Sequence, residues 1–232
     1  MTTVTDPARE LAEIAERLTH SDNVAGEAFL ANSFGVKVWS TDFVKIIACI
    51  LERADLVAKV VKQSNTMDDD HKASALEDLS RFKDGCTGAA LRVAWNDVRG
   101  GMILMKDHRR PLQYLSPIVR AEVRYPKLTE QEVAEFLELI DAYLEELKTS
   151  DQGPAFVRQA ITDGLLAFRF QLEKIGWMGS GYALVAFREV MIVYEASKFQ
   201  FSDTGNVDSS AVLNPSYSRG WLRRVGGSGI SL

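Results

Sequence analysis

Apolar side chains recur at three- to four-residue spacing along almost the whole chain, and alternating apolar–polar runs are scarce. That one feature confines the chain to packed helices. The spacing predicts an all-α fold of seven or eight helices in one orthogonal or bundle-like domain over residues 1–200, followed by a tail from 201 to 232. The first helix opens near Asp6, with Pro7 in the first helical position, where a missing N–H costs nothing. Its stripe is Leu11, Ile14, Ala15 and Leu18. A shorter helix covers about Asn23–Asn32 and is broken by Gly35, and Phe34–Ser40 is the one place where an extended segment is credible.

Ser40 or Thr41 caps a third helix over 41–63 with an apolar stripe of Phe43, Ile46, Ile47, Ile50, Ala54, Val57 and Val61. The run Asp68-Asp69-Asp70 suits the positive end of a helix dipole and starts a helix predicted to reach about Val98, bent at Gly85 or Gly88. Residues 102–111 read as a connection, and 112–124 as a helix that Pro117 either kinks or begins. Thr129 and Glu132 form a capping box for 129–148. A helix over 155–175 follows, and Gly85 and Gly164 are positions where a neighbouring helix can approach closely. The helix over 181–200 is apolar nearly all round, which predicts the most buried element, wrapped by its neighbours. After Ser202 the period stops, and a Ser-, Gly- and Asn-rich stretch reads as a mobile tail holding one apolar-basic island, Trp221-Leu222-Arg223-Arg224-Val225.

The net charge of −5 argues against a surface that grips nucleic acid everywhere. The charge is unevenly placed. Residues 92–127 carry eight basic and three acidic groups, whereas 128–151 carry one basic and eight acidic groups. The basic stretch presents Arg109, Arg110, Arg120 and Arg124 as candidate contacts to a protein partner or to nucleic acid, beside the reading that they form a solvated face paired in part with the acids of 130–146. No apolar run reaches the ~18 residues of a membrane span, and the N-terminus lacks the basic start and apolar core of a secretion signal, so a cytoplasmic location without membrane contact is expected.

Chemistry-bearing motifs are sparse. The two cysteines, Cys49 and Cys86, lack the spacing of a zinc site and read as buried free thiols. None of His20, His71 and His108 has another histidine one helical turn away. Asp68-Asp69-Asp70-His71 lacks carboxylates one turn on, because Lys72 and Ala73 stand there, so it reads as a helix start and not a metal motif. Phosphate-loop, dinucleotide and nucleophile-elbow patterns are missing. No catalytic residue, metal ligand or cofactor is assigned. Arg188 and Glu195 lie seven residues apart in the apolar last helix and are candidate buried polar residues.

Three functional readings follow. The first is a non-enzymatic protein-interaction module: an adaptor, inhibitor or accessory subunit that binds another protein or itself. In this reading Trp221, Arg223 and Arg224 dock on the partner, since Trp and Arg favour interface hot spots. The second is a nucleic-acid-binding accessory using the stretch 92–127. The third is a helical enzyme with a site assembled from dispersed residues such as Asp163, Arg188 and Glu195.

Overall fold

The structure, a computed structural model, describes residues 3–149 and 155–202, with 193–202 as backbone alone. The Ser-, Gly- and Asn-rich stretch with Trp221, Arg223 and Arg224 lies outside the described residues, as does the side chain of Glu195. The all-α expectation holds: among the described residues there are nine α-helices, one a single turn, and one pair of two-residue strands. The chain divides into two compact units, Met1–Lys127 with Lys174–Tyr182, and Leu128–Glu173 with Ala183–Leu232.

In the first unit, β1 (Val4–Thr5) pairs antiparallel with β2 (Tyr125–Pro126), setting Val4 opposite Pro126 and Thr5 opposite Tyr125. Helix α1 (Pro7–Arg17) starts as its sequence predicts. Asp6 caps it, accepting from the Arg9 N–H at 3.0 Å, with Pro7 in the first turn. Its apolar stripe is fully buried. The segment Phe34–Ser40 is not a strand. Helix α2 (Gly26–Phe34) ends on Gly35 in the left-handed conformation, and a turn through Trp39 leads into α3 (Thr41–Gln63), which Ser40 caps. Trp39 has φ 55°, a conformation that L residues rarely adopt, and is held by an indole N–H bond to Glu27 and an edge contact with Phe43.

Helix α4 (Asp69–Asp84) starts where the acidic run predicts, capped by Asp68, but it stops at Gly85 instead of continuing to Val98. Trp95 gives the reason. Its ring is fully buried and stacked on Phe29 at 4.6 Å, and its indole N–H donates to the Leu18 carbonyl at 3.0 Å. Reaching that position takes an irregular path, with a 3₁₀ turn at Gly88–Leu91 and backbone pairing of Ala25 with Ala94. Burying a whole indole outweighs extending one helix. Gly85 does admit a neighbour: a Cβ there would lie 2.6 Å from Met105 Cε.

Helix α5 (Gly101–Glu122) corrects the reading of 102–111 as a connection. It runs unbroken through both Pro111 and Pro117. Each proline removes one helical hydrogen bond, but the buried face of Met105, Leu112, Leu115 and Val119 packs onto α1, α3 and α4 and keeps the helix continuous.

The short helix α8 (Ile175–Met178) and the residues after it are tied into this unit by a buried ion pair. Arg53 on α3 is almost completely enclosed. Its Nη2 donates to the carbonyls of Trp177, at 2.9 Å, and Met178, and its Nε lies 3.5 Å from Glu10 Oε2 on α1. Glu10 Oε1 in turn accepts from the Ser180 N–H at 3.0 Å. Gly179 crosses directly over the pair, with φ 95°, and a Cβ there would lie 2.5 Å from the guanidinium. Arg17 and Lys174 fasten the same segment, donating to the Gly176 and Phe34 carbonyls.

In the second unit, α6 (Glu130–Thr149) carries the predicted capping box. The Thr129 N–H donates to Glu132 at 2.8 Å, and the Glu132 N–H to Thr129 Oγ1 at 3.2 Å. It packs against α7 (Ala155–Glu173), with Arg169 forking onto Asp141 at 2.7 and 3.2 Å. Gly164 lets α9 (Ser180–Ser202) approach: a Cβ there would lie 3.2 Å from Val190. The expectation that α9 is wrapped on all sides fails, since Val185 is 54% and Ile192 56% exposed. Among its described side chains the buried ones, Ser180, Ala183, Ala186 and Val190, follow a narrow stripe. An apolar composition marks what a helix can bury, not how many neighbours exist to cover it. Arg188, expected inside, is exposed.

Two substitutions test this packing. Gly101→Ala, whose Cβ would fall 2.0 Å from the Trp95 ring, is expected to destabilise by about 2–3 kcal/mol. Gly88→Asn, at φ 56° with nothing within 4 Å, is expected to cost under ~1 kcal/mol. Urea unfolding of both measures the contrast. In the same assay Arg53→Ala, which leaves Glu10 buried without its partner, is expected to lose about 3–5 kcal/mol.

Candidate docking groove

Between the C-terminal half of α3, the loop at 64–68, the first turns of α4 and the outer face of α5 lie two adjoining hollows of about 520 and 860 Å³. Thr66 and Ile118 line both, so they form one groove within the first unit. Helix α5 supplies one wall with Pro111, Tyr114, Leu115 and Ile118, and then Pro117 and Ala121, spaced so that one face of the helix is presented. Tyr114 is 77% exposed. Met67 and Ala75 add apolar surface from the α4 side, and Leu56 and Val60 from α3.

The α4 wall is acidic. Asp68 and Asp78 line the groove, and Asp69 and Asp70 stand exposed beside it. Two of these carboxylates hold histidines. Asp68 accepts from the His71 N–H at 2.8 Å and lies 2.7 Å from His71 Nδ1; the backbone bond is the main reason its carboxyl sits below the ordinary value, and the side-chain bond adds to it. Asp78 Oδ1 lies 2.9 Å from His108 Nδ1, fixing α4 to α5 just behind the groove. Lys59 and Glu122 line the far end with opposite charges.

Two of the four candidate arginines in the basic stretch are paired with acids of the N-terminal segment. Arg109 bonds Glu16 at 3.0 Å, and Arg120 bonds the buried carboxylate of Asp6 at 3.1 Å together with Ser116. Lys127 bonds Glu13 at 3.0 Å. These acids belong to α1 and its cap. Arg110 and Arg124 are exposed.

The buried cluster around Arg53 holds Cys49, Tyr125 and Tyr182, yet its groups are damped and not activated. Burial pushes the Cys49 thiol up to about 11, against the smaller opposing pull of Arg53, and the fully enclosed Cys86 up to about 12. Burial also raises Tyr125, with Glu10 adding to it. Tyr182 is raised first by burial and then by its hydrogen bond to Glu52. The expectation of buried free thiols holds. Among the described residues no group of three His, Cys, Asp or Glu side chains is placed to hold a metal ion, and no helix is long and apolar enough to cross a membrane.

Sequence reasoning missed the groove and Arg53. The face Pro111, Tyr114, Ile118, Ala121 carries helical spacing, but Gly100-Gly101 and the prolines disguised half of α5 as a connection. Arg53 falls on the stripe positions of α3 between Ile50 and Val57, which was the available signal of a buried charge.

At pH 8 a disulfide-exchange thiol reagent is expected to label neither cysteine in the folded chain and both in denaturant. The same shifts imply stability that is fully present below the ordinary thiol value of 9.0 and is lost as pH rises through about 11, because the unfolded thiols ionise first. Comparison with protein-family models, with curated proteins and with solved structures finds no match to this chain.

Proposed function

We propose that this chain is a non-enzymatic protein-interaction module whose α3–α4–α5 groove receives an apolar segment carrying basic residues. The observation that carries the reading is Tyr114: a large aromatic, 77% exposed, standing over an apolar hollow. Aromatic side chains at the rim of such hollows are the usual anchors of protein interfaces. The acidic α4 wall argues for the charge of the partner segment. The exposed Asp69 and Asp70 would meet its cations, while Ile118, Leu115 and Ala75 would cover its apolar side chains.

The nucleic-acid reading receives less support. A phosphate-binding surface needs cations free to replace counterions, and Arg109, Arg120 and Lys127 are engaged by acids of the N-terminal segment. The enzymatic reading receives less support as well, since both thiols are buried and held protonated.

A photo-crosslinking amino acid in place of Tyr114, in the full chain inside its own cells, tests the proposal. The expected result is an adduct to a protein segment combining apolar residues with Lys or Arg. Its yield should drop at least ~10-fold in the Ile118→Glu background, the scale of one hot-spot residue. A crosslinker at exposed Gln131 on α6 serves as control. Adducts to nucleic acid alone, or adducts indifferent to Ile118→Glu, would overturn the reading.

A further inference from the structure

We propose that the outer face of α9 is the contact surface for a second copy of this chain, with the two α9 helices antiparallel about a two-fold axis between Arg188 and Glu189. The residues that carry it lie wholly in the second unit, and it is independent of the groove.

Helix α7 defines the face by the side of α9 that it covers. Val190 lies against Gly164, where a Cβ would come 3.2 Å from it, and the Phe187 ring sits 5.6 Å from that of Phe168. Both contacts turn one side of α9 toward α7. At about 100° per residue, Val185, Arg188, Glu189 and Ile192 fall within an arc of ~100° centred on the opposite side. These four are the exposed side chains among those described on α9. Among the described residues, the side chains of Arg188 and Glu189 make no hydrogen bond or ion pair.

The order of these residues selects the occupant. With a two-fold axis between positions 188 and 189 of antiparallel helices, position 185 of one chain stands opposite 192 of the other, and 188 opposite 189. Val185 then meets the partner's Ile192, Arg188 meets the partner's Glu189, and the symmetry repeats both contacts. Two apolar pairs flank two ion pairs, so the face is complementary to itself in shape of pattern and in charge. A parallel pairing would set Arg188 on the partner's Arg188 and Glu189 on the partner's Glu189, so charge fixes the direction as well as the partner. A helix apolar on nearly all sides needs cover on more than one. Helix α7 supplies one side and the second copy the other. Four side chains make a small face beside the ~800 Å² per partner of a standard interface, and the pairing is therefore weak and concentration-dependent.

Sedimentation equilibrium of the full chain from about 1 to about 500 µM, a range that brackets a weak dimer, tests the proposal. The unaltered chain is expected to pass from monomer to dimer. R188E alone and E189R alone, both at exposed positions, should each weaken the association at least ~10-fold. The double variant R188E/E189R should restore it, because both charges are exchanged together. An equal mixture of the R188E and E189R chains should restore it as a heterodimer, a repair that mixing cannot give to a chain whose fold is merely damaged. A monomer over the whole range would assign the face to another occupant, the chain's own residues 203–232 or a different protein, and overturn the proposal. A dimer indifferent to both reversals, or a loss that either rescue fails to repair, would overturn it as well.

Discussion

Glu10 and Arg53 meet inside the first unit, and the elements around them are arranged to make that meeting tolerable. A buried guanidinium and carboxylate each lose several kcal/mol of hydration, and only close pairing and further hydrogen bonds offset it. Arg53 therefore reaches past Glu10 to the carbonyls of Trp177 and Met178, and Glu10 takes the Ser180 N–H. These demands draw α1, α3 and the segment 174–182 to one point, although more than a hundred residues separate Arg53 from the carbonyls it binds. They also dictate Gly179, since any side chain there would collide with the guanidinium. Two buried atoms of the pair, Glu10 Oε2 and Arg53 Nη1, make no hydrogen bond, so the arrangement specifies a position more than it adds stability.

The same N-terminal segment neutralises much of what looks basic in the sequence. Asp6, Glu13 and Glu16 engage Arg120, Lys127 and Arg109, and through them hold α5 against α1. With one face of α5 committed to α1 in this way, the opposite face is turned outward. That outward face, with Tyr114 and Ile118, is the wall of the groove. The proposed docking surface is thus a by-product of how α5 is gripped from behind, and the acidity of its other wall comes from residues that begin α4.

Much of the fold was legible locally. Asp6 with Pro7, Ser40, Asp68, and Thr129 with Glu132 each mark a helix start, because capping bonds form between residues three apart and owe little to the rest of the chain. The failures have a common cause. Trp95 breaks a predicted helix because a distant pocket formed by Phe29 and Leu18 rewards burying its ring. Two prolines stay inside α5 because packing on α1 outweighs the bonds they remove. Arg188 lies exposed because the apolar composition around it does not by itself supply a neighbour to cover it.

By itself, the sequence determined the helical class, most helix starts and the burial of α1 and α3, since these follow from periodicity and from contacts a turn or less apart. Only the tertiary structure decided which charges are spent internally and which face of α5 is left open. Those outcomes depend on pairs separated by about a hundred residues, Glu16 with Arg109 and Asp6 with Arg120. Local spacing carries no record of such pairs, because a charge does not reveal along the chain which opposite charge will reach it once both have lost water.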